Sequence, residues 1–180
     1  MSSVLILRST WNGVSDGRPR EFEEFDCERG HSGLPQRQVR LEVLLVHPGG
    51  PFWRNKDSGA WSIPKGEIDA LNDPEQVARR EFAEELGPSA SIGQLRKLGE
   101  VRQRGGKRVI AFGAEGHFDP AALASNTFDI EWPPRSGRRQ SFPEVDRAEW
   151  FDIETARAKL LSGQVELLNR LLAIMVSASR

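Results

Sequence analysis

One stretch constrains the rest of the chain: residues 73–87, DPEQVARREFAEELG, spell a helix with both ends marked. Asp73 can accept hydrogen bonds from the unpaired N–H groups of the first turn, and Pro74 suits the first helical position because its ring presets φ. Gly87 can adopt the left-handed conformation that stops a helix. Between these marks Ala78, Phe82 and Leu86 recur every four residues, forming an apolar stripe that needs another layer to cover it. Glu81, Glu84 and Glu85 fall on a neighbouring face, about a quarter turn away. Like charges three and four residues apart repel, so this face is either solvated or balanced by something positive.

The remaining segments supply the covering layers. An apolar run at Val4 to Leu7 reads as a first strand. It is followed by a polar stretch, Ser9 to Gln38, rich in Gly and charge, which reads as a long insertion. Val39 to Val46 reads as a second strand, ended by Pro48, Gly49 and Gly50. A hairpin is expected around Gly105-Gly106, with Val109 to Glu115 as its second strand. "DPAALASNT" reads as a turn or short helix, and the segment from Ile130 as a loop leading to a strand that ends near Trp150 and Phe151. Two helices close the sequence, the second with Val165, Leu168, Leu172 and Val176 as its apolar stripe.

Composition narrows the class. With 180 residues, 38% hydrophobic and 28% charged, the chain is expected to be one globular domain. Its 25 basic and 26 acidic residues give a net charge of −1, which argues against a protein that grips nucleic acid by bulk electrostatics. The lone Cys27 excludes an internal disulfide and fits a reducing compartment. The apolar run near the N-terminus is too short for a signal peptide or a membrane span, so a cytoplasmic location without membrane contact is expected.

Crowded carboxylates on one helix face are tolerated when a divalent cation sits among them. Mg²⁺ keeps several waters and leaves room for phosphate oxygens, which makes phosphoryl chemistry the natural expectation. Other candidates follow from local chemistry. The run "RSGRR" offers Arg135, Arg138 and Arg139, whose forks match phosphate oxygens, though a solvated basic loop is equally consistent. Trp53 and Trp132 lie in Gly/Pro-rich loops where an aromatic ring can stack on a base. Trp61 and Trp150 read as packing residues, and His47 as a structural hydrogen-bonding histidine.

The stretch "GEIDALNDPEQVARREFAEELGP" resembles the Nudix box: Gly66, Arg80, Glu81, Phe82, Glu84, Glu85 and Gly87 fall on its pattern in register. Asn72 stands where the pattern has its first Glu, and Pro88 where it has a bulkier apolar residue. The preceding "WSIPKGE" is similar to the segment that leads into the box in Nudix hydrolases of dinucleoside polyphosphates, capped RNA ends and diphosphoinositol phosphates. The overall likeness is greatest to a bacterial branch of predicted NTP pyrophosphohydrolases. It covers about residues 39–175 and the first strand, leaving the polar insertion at about 9–38 unexplained.

This resemblance implies an α/β/α sandwich of the Nudix type with a mixed β-sheet. It implies Mg²⁺- or Mn²⁺-dependent hydrolysis, by a metal-activated water, of phosphoanhydrides in NTPs, dinucleoside polyphosphates or other nucleotide derivatives. The alternatives are a nucleotide sensor that does not hydrolyse and an RNA 5′-end pyrophosphohydrolase, which the near-neutral charge ranks last. By the same resemblance Glu81 and Glu85 are the main metal ligands, Glu84 assists, and the Gly66 carbonyl completes the site. Arg80 orients the acids, and Glu144 supplies a further ligand or the base, with Glu115 and Glu149 as lesser candidates. Lys65 together with Arg135, Arg138, Arg139 and Trp53 would meet the substrate. No DNA partner is expected, and homodimerisation is left open.

Overall fold

A computed structural model describes residues 2–11, 39–66, 73–88, 90–102 and 108–178. Its elements are β1 (Ser2–Trp11), β2 (Val39–Pro48), β3 (Lys65–Gly66), α1 (Pro74–Leu86), β4 (Ser91–Ile92), β5 (Arg96–Arg102) and β6 (Arg108–His117). After them come β7 (Thr127–Glu131), β8 (Arg139–Pro143), β9 (Val145–Asp152), α2 (Ile153–Lys159) and α3 (Val165–Ala178). The main sheet runs β4-β6-β1-β2-β9, with β3 added to β1 and β5 to β6. It is mixed: β1 and β6 are parallel, and the other pairs are antiparallel.

Strand β2 shows why helices cover both faces. Residues alternate across a strand, and a run that is apolar at every position belongs to a sheet buried on both sides. Leu44 and Val46 enter one core with Ala78, Phe82 and Leu86 of α1 and Ala148 of β9. Val43 and Leu45 enter the other with Trp61, Ile63, Ala156 of α2, and Leu167, Leu168 and Leu171 of α3. Each fully buried Leu or Phe is worth roughly 1.5–3 kcal/mol of transfer free energy. The two cores therefore fix α1 and the C-terminal helices on opposite faces, giving the expected α/β/α sandwich.

Several local expectations change. The first strand runs past Leu7 to Trp11, so the polar stretch begins later than Ser9; residues 12–38, with Cys27, lie outside the described residues. Strands β5 and β6 form the expected hairpin, with Arg102 opposite Arg108, while the Gly105-Gly106 turn lies outside the described residues. The segment from Ile130, expected to be a loop, instead belongs to a two-stranded hairpin in which Thr127 pairs Pro143 and Glu131 pairs Arg139. Apolar residues are few, Phe128 and Ile130 in β7 and Phe142 and Pro143 at the end of β8, and the pair sits apart from the main sheet, which weakens its period-two pattern. In α3 the buried stripe is Leu167, Leu168 and Leu171, whereas Val165 and Leu172 are half-buried. Val176's side chain lies outside the described set. A 3₁₀ turn at Ser162–Gln164 immediately precedes α3, so the face it presents cannot be read from the helical pattern alone. Among the described residues no helix is long and apolar enough to cross a membrane.

Candidate metal and polyphosphate site

Helix α1 begins as its sequence signals it to begin. The Asp73 carboxylate accepts from the Glu75 N–H at 3.1 Å, and Pro74 occupies the first turn. At the other end Gly87 has φ 98° and donates its N–H to the Ala83 carbonyl at 2.8 Å. A side chain there would be strained by the backbone and would meet Ala124 at 3.0 Å.

The three glutamates do not share one setting, which corrects the expectation of a common acidic face. At about 100° per residue, Glu85 lies close to the direction of Ala78 and so towards the core, whereas Glu84 lies well to the other side of Glu81. Glu85 is only 8% exposed, and its Oε2 accepts from the Lys65 backbone N–H at 3.1 Å. Glu81 is largely covered and accepts from the Arg80 guanidinium at 2.7 Å. Glu84 is exposed, with Arg80 Nε at 3.6 Å. Arg80 thus contacts both outer acids, as expected.

Burial pushes the Glu85 carboxyl up from an ordinary 4.5 to about 7. The Lys65 ammonium and the Lys65 N–H pull it down, while Glu144 and Glu81 push it further up. The fold therefore brings Glu144 from the β8–β9 junction within electrostatic range of the helix acids. Its backbone is held from two sides: its N–H donates to the Asn126 carbonyl at 2.8 Å and its carbonyl accepts from the Gly49 N–H at 2.9 Å.

Among the described residues no three His, Cys, Asp or Glu side chains stand close enough to hold a metal ion as placed. The donor set still fits a hard cation in kind. It consists of carboxylate oxygens around a buried, electrostatically unfavourable Glu85, with a lysine as its positive neighbour. Lys65 and Gly66 form β3 beside β1. The loop from Glu67 to Asn72 lies outside the described residues.

The segment leading into Lys65 is fixed by residues that sequence reasoning missed. Ser62 exchanges backbone hydrogen bonds with Val46 at 2.8 and 2.9 Å. Trp61 N–H donates to the Lys159 carbonyl at 3.0 Å, its carbonyl accepts from Leu161, and Ile63 N–H donates to the buried Gln164 Oε1 at 3.0 Å. Trp61 is fully buried, as expected of a packing residue. Its Nε1 donates to Asp57, whose carboxyl the neighbouring Lys159 and Trp61 hold below its usual range. His47, also buried, faces acceptors with both ring nitrogens: Asp146 Oδ1 at 2.6 Å and the Lys56 carbonyl at 2.9 Å. The one available signal was compositional, a polar Gln164 followed directly by the apolar stripe of α3. Trp150 is half-buried and packs against the core on the α1 side, as expected of a packing residue, with its Nε1 donating to the Phe118 carbonyl at 2.9 Å and Arg8 lying 4.4 Å from its ring.

The remaining substrate-binding candidates lie elsewhere. Arg135 and Arg138 occupy the turn of the β7–β8 hairpin, and Arg139 opens β8, at the end remote from Glu144. Trp53 sits in the turn after β2 with Lys56 Nζ 4.4 Å from its ring centroid. Glu115 and Glu149 are exposed on β6 and β9.

Fold and site together define a class: a mixed sheet between helical layers, with an acid-bearing helix set against a short Lys-Gly strand. The chain belongs to the Nudix family of pyrophosphohydrolases acting on phosphoanhydrides, whose NUDIX domain model matches residues 34–171. It is 44% identical over 152 residues to an RNA pyrophosphohydrolase of Rhodospirillum rubrum, covering 72% of this chain and 81% of that one. A Myxococcus xanthus protein named octanoyltransferase is 29% identical over 143 residues, 76% of this chain, and the match spans only 36% of that relative's length. Among solved structures, a mutT/nudix family protein from Listeria innocua shares the fold, with a TM-score of 0.53 at 17% identity over 98% of this chain and 92% of that chain.

Proposed function

We propose that this chain is a Mg²⁺- or Mn²⁺-dependent pyrophosphohydrolase that cleaves a phosphoanhydride at a nucleotide 5′ end, with triphosphorylated RNA ends as its substrate class. The observation that carries the reading is the buried Glu85 carboxylate, which accepts from the Lys65 N–H at 3.1 Å and has Lys65, Glu144 and Glu81 as its charged neighbours. Likeness to the Rhodospirillum enzyme supports RNA ends over the free NTPs and dinucleoside polyphosphates expected from the sequence. A net charge near zero is compatible with this, because an end-binding enzyme can draw its affinity from the polyphosphate and the cation rather than from a basic surface.

A divalent cation held by Glu81, Glu85 and Glu144, with the Gly66 carbonyl, would neutralise polyphosphate charge and make a water a stronger nucleophile. The protein's own residues set the geometry. The Lys65 N–H fixes which oxygen of Glu85 is left to face the site. The Lys65 ammonium is the positive group beside Glu85 and would meet a phosphate of the substrate. Arg80 holds Glu81 and contacts Glu84, so the exposed Glu84 can orient a water without collapsing onto its neighbours. The turn at Gly49 and the Asn126 carbonyl hold Glu144 in place.

The test is turnover of a panel of NTPs, dinucleoside polyphosphates and 5′-triphosphorylated RNA with Mg²⁺, comparing the natural protein with Glu85→Gln. Loss of metal-dependent turnover in the variant is expected. Undiminished turnover would overturn the proposal, and ligand-induced thermal stabilisation without product would point instead to a sensor.

A further inference from the structure

The tip of the β7–β8 hairpin carries features that the hydrolytic site does not use. Phe128, Ile130 and Trp132 share one face, which lies over the turn after β2. Phe128 packs so near Gly50 that a Cβ there would stand 3.0 Å from its ring. Trp132 meets Phe52 edge to face, with centroids 5.3 Å apart at 82°. Phe52 is 60% exposed, the only large apolar side chain so exposed among the described residues. Trp53 is its neighbour in the same turn. Arg54, Arg135 and Arg138 are exposed nearby, and none of them is in an ion pair among the described residues.

Arg135 adds a backbone observation. Its φ is 64°, a left-handed conformation that disfavours an ordinary side chain and that glycine or asparagine adopts more readily. An arginine is held there despite that cost, in a turn already rich in positive charge.

We propose that this tip is a docking site for the single-stranded RNA that follows the reacting 5′ end. Bases would stack on Phe52 and Trp132, and phosphates would be met by Arg54, Arg135 and Arg138. The proposal rests on the reading that triphosphorylated RNA is the substrate. Aromatic faces beside cations are the combination that binds single strands without regard to sequence. Distance then makes the site selective for chain length. From Glu144 to Arg138 the strand advances roughly 20 Å at about 3.3 Å per residue. That equals roughly six nucleotides at a stacked spacing of about 3.4 Å. A mononucleotide held at the helix acids does not reach Arg138, whereas an oligonucleotide passing the Phe52–Trp132 pair does.

The experiment compares kcat/KM for GTP and for a triphosphorylated RNA of about eight nucleotides, using the natural protein, Phe52→Ala and Arg138→Ala. Phe52 is exposed, so its replacement should leave the fold intact, which a thermal melt verifies. The ratio of RNA to GTP efficiency is expected to fall about tenfold in Phe52→Ala. Arg138→Ala should also lower the ratio and reduce the salt dependence of RNA binding by about one phosphate's worth. An unchanged ratio in both variants overturns the docking site while leaving RNA hydrolysis standing. A second arm measures binding of the same RNA with a 5′-hydroxyl. If the natural protein releases no product from triphosphorylated RNA but binds this oligomer through Phe52 and Arg138, the docking site stands and the substrate reading fails. If Phe52→Ala converts a dimer to a monomer in sedimentation without changing the ratio, the tip is a self-association surface and the proposal is overturned.

Discussion

Replacing Glu85 by Gln should stabilise the metal-free protein above neutral pH while abolishing metal-dependent turnover. Glu85 is buried, and its carboxyl is raised from 4.5 to about 7. In the folded protein it therefore holds its proton where the unfolded chain has released it. A group raised in this way contributes stability that is fully present below 4.5 and is lost as pH rises to about 7. The gap of about 2.5 units, at about 1.4 kcal/mol each, amounts to about 3–4 kcal/mol, an upper bound on the difference. Gln is uncharged at every pH, and its oxygen can still accept from the Lys65 N–H. Urea unfolding in EDTA at pH 5 and pH 8 measures the effect: the natural protein should weaken between the two, and Glu85→Gln should weaken less. Mg²⁺ should restore the natural protein at pH 8 and leave the variant nearly unmoved. If the variant is the less stable protein at pH 8 without metal, or if both respond alike to pH and Mg²⁺, the argument from a buried, uncompensated carboxylate fails.

Other perturbations test the frame around the site. Gly49→Ala places a Cβ 2.0 Å from the Pro143 carbonyl oxygen, so the hairpin must shift and carry Glu144 with it; reduced kcat together with a lowered melting temperature is expected, and normal activity would show that Glu144's position is not critical. Gln164→Leu leaves the buried Ile63 N–H without its acceptor, a loss of about 1–3 kcal/mol by denaturant midpoint; a neutral result would mean that the segment leading to Lys65 is held by its other bonds alone. Phe82→Ala, in the core beneath the acids, should cost about 3–5 kcal/mol in the same assay, and a cost under about 1 kcal/mol would mean that the α1 face is loosely packed.

The helix was legible because every signal for it is local: Asp73, Pro74 and Gly87 occupy the ends, and Ala78, Phe82 and Leu86 are all buried. The continuous apolar run of β2 likewise announced a strand covered on both faces. What could not be read was how completely the adjacent Glu84 and Glu85 divide between solvent and core, because the tilt of α1 on the sheet, set by packing, decides that Glu85 is covered and Glu84 is not. The β7–β8 hairpin escaped for a related reason. Its apolar residues meet Gly50 and Phe52 across a gap of more than seventy residues, and no local pattern marks such a contact. A position supporting the site from a distance, such as Gln164, acts through one hydrogen bond and leaves no periodicity, whereas His47 was legible as a structural hydrogen-bonding residue.

The bonds from Trp61 and Ile63 to residues 159–164 span about a hundred positions. During synthesis the acids of α1 leave the ribosome first, Glu144 follows much later, and residues 159–164, which hold the segment leading to Lys65, come after both. A chain interrupted before α2 would carry the full helix motif yet lack the clasp on the segment leading to Lys65. Chains that lack residues 159–164 should therefore be inert rather than promiscuous phosphatases.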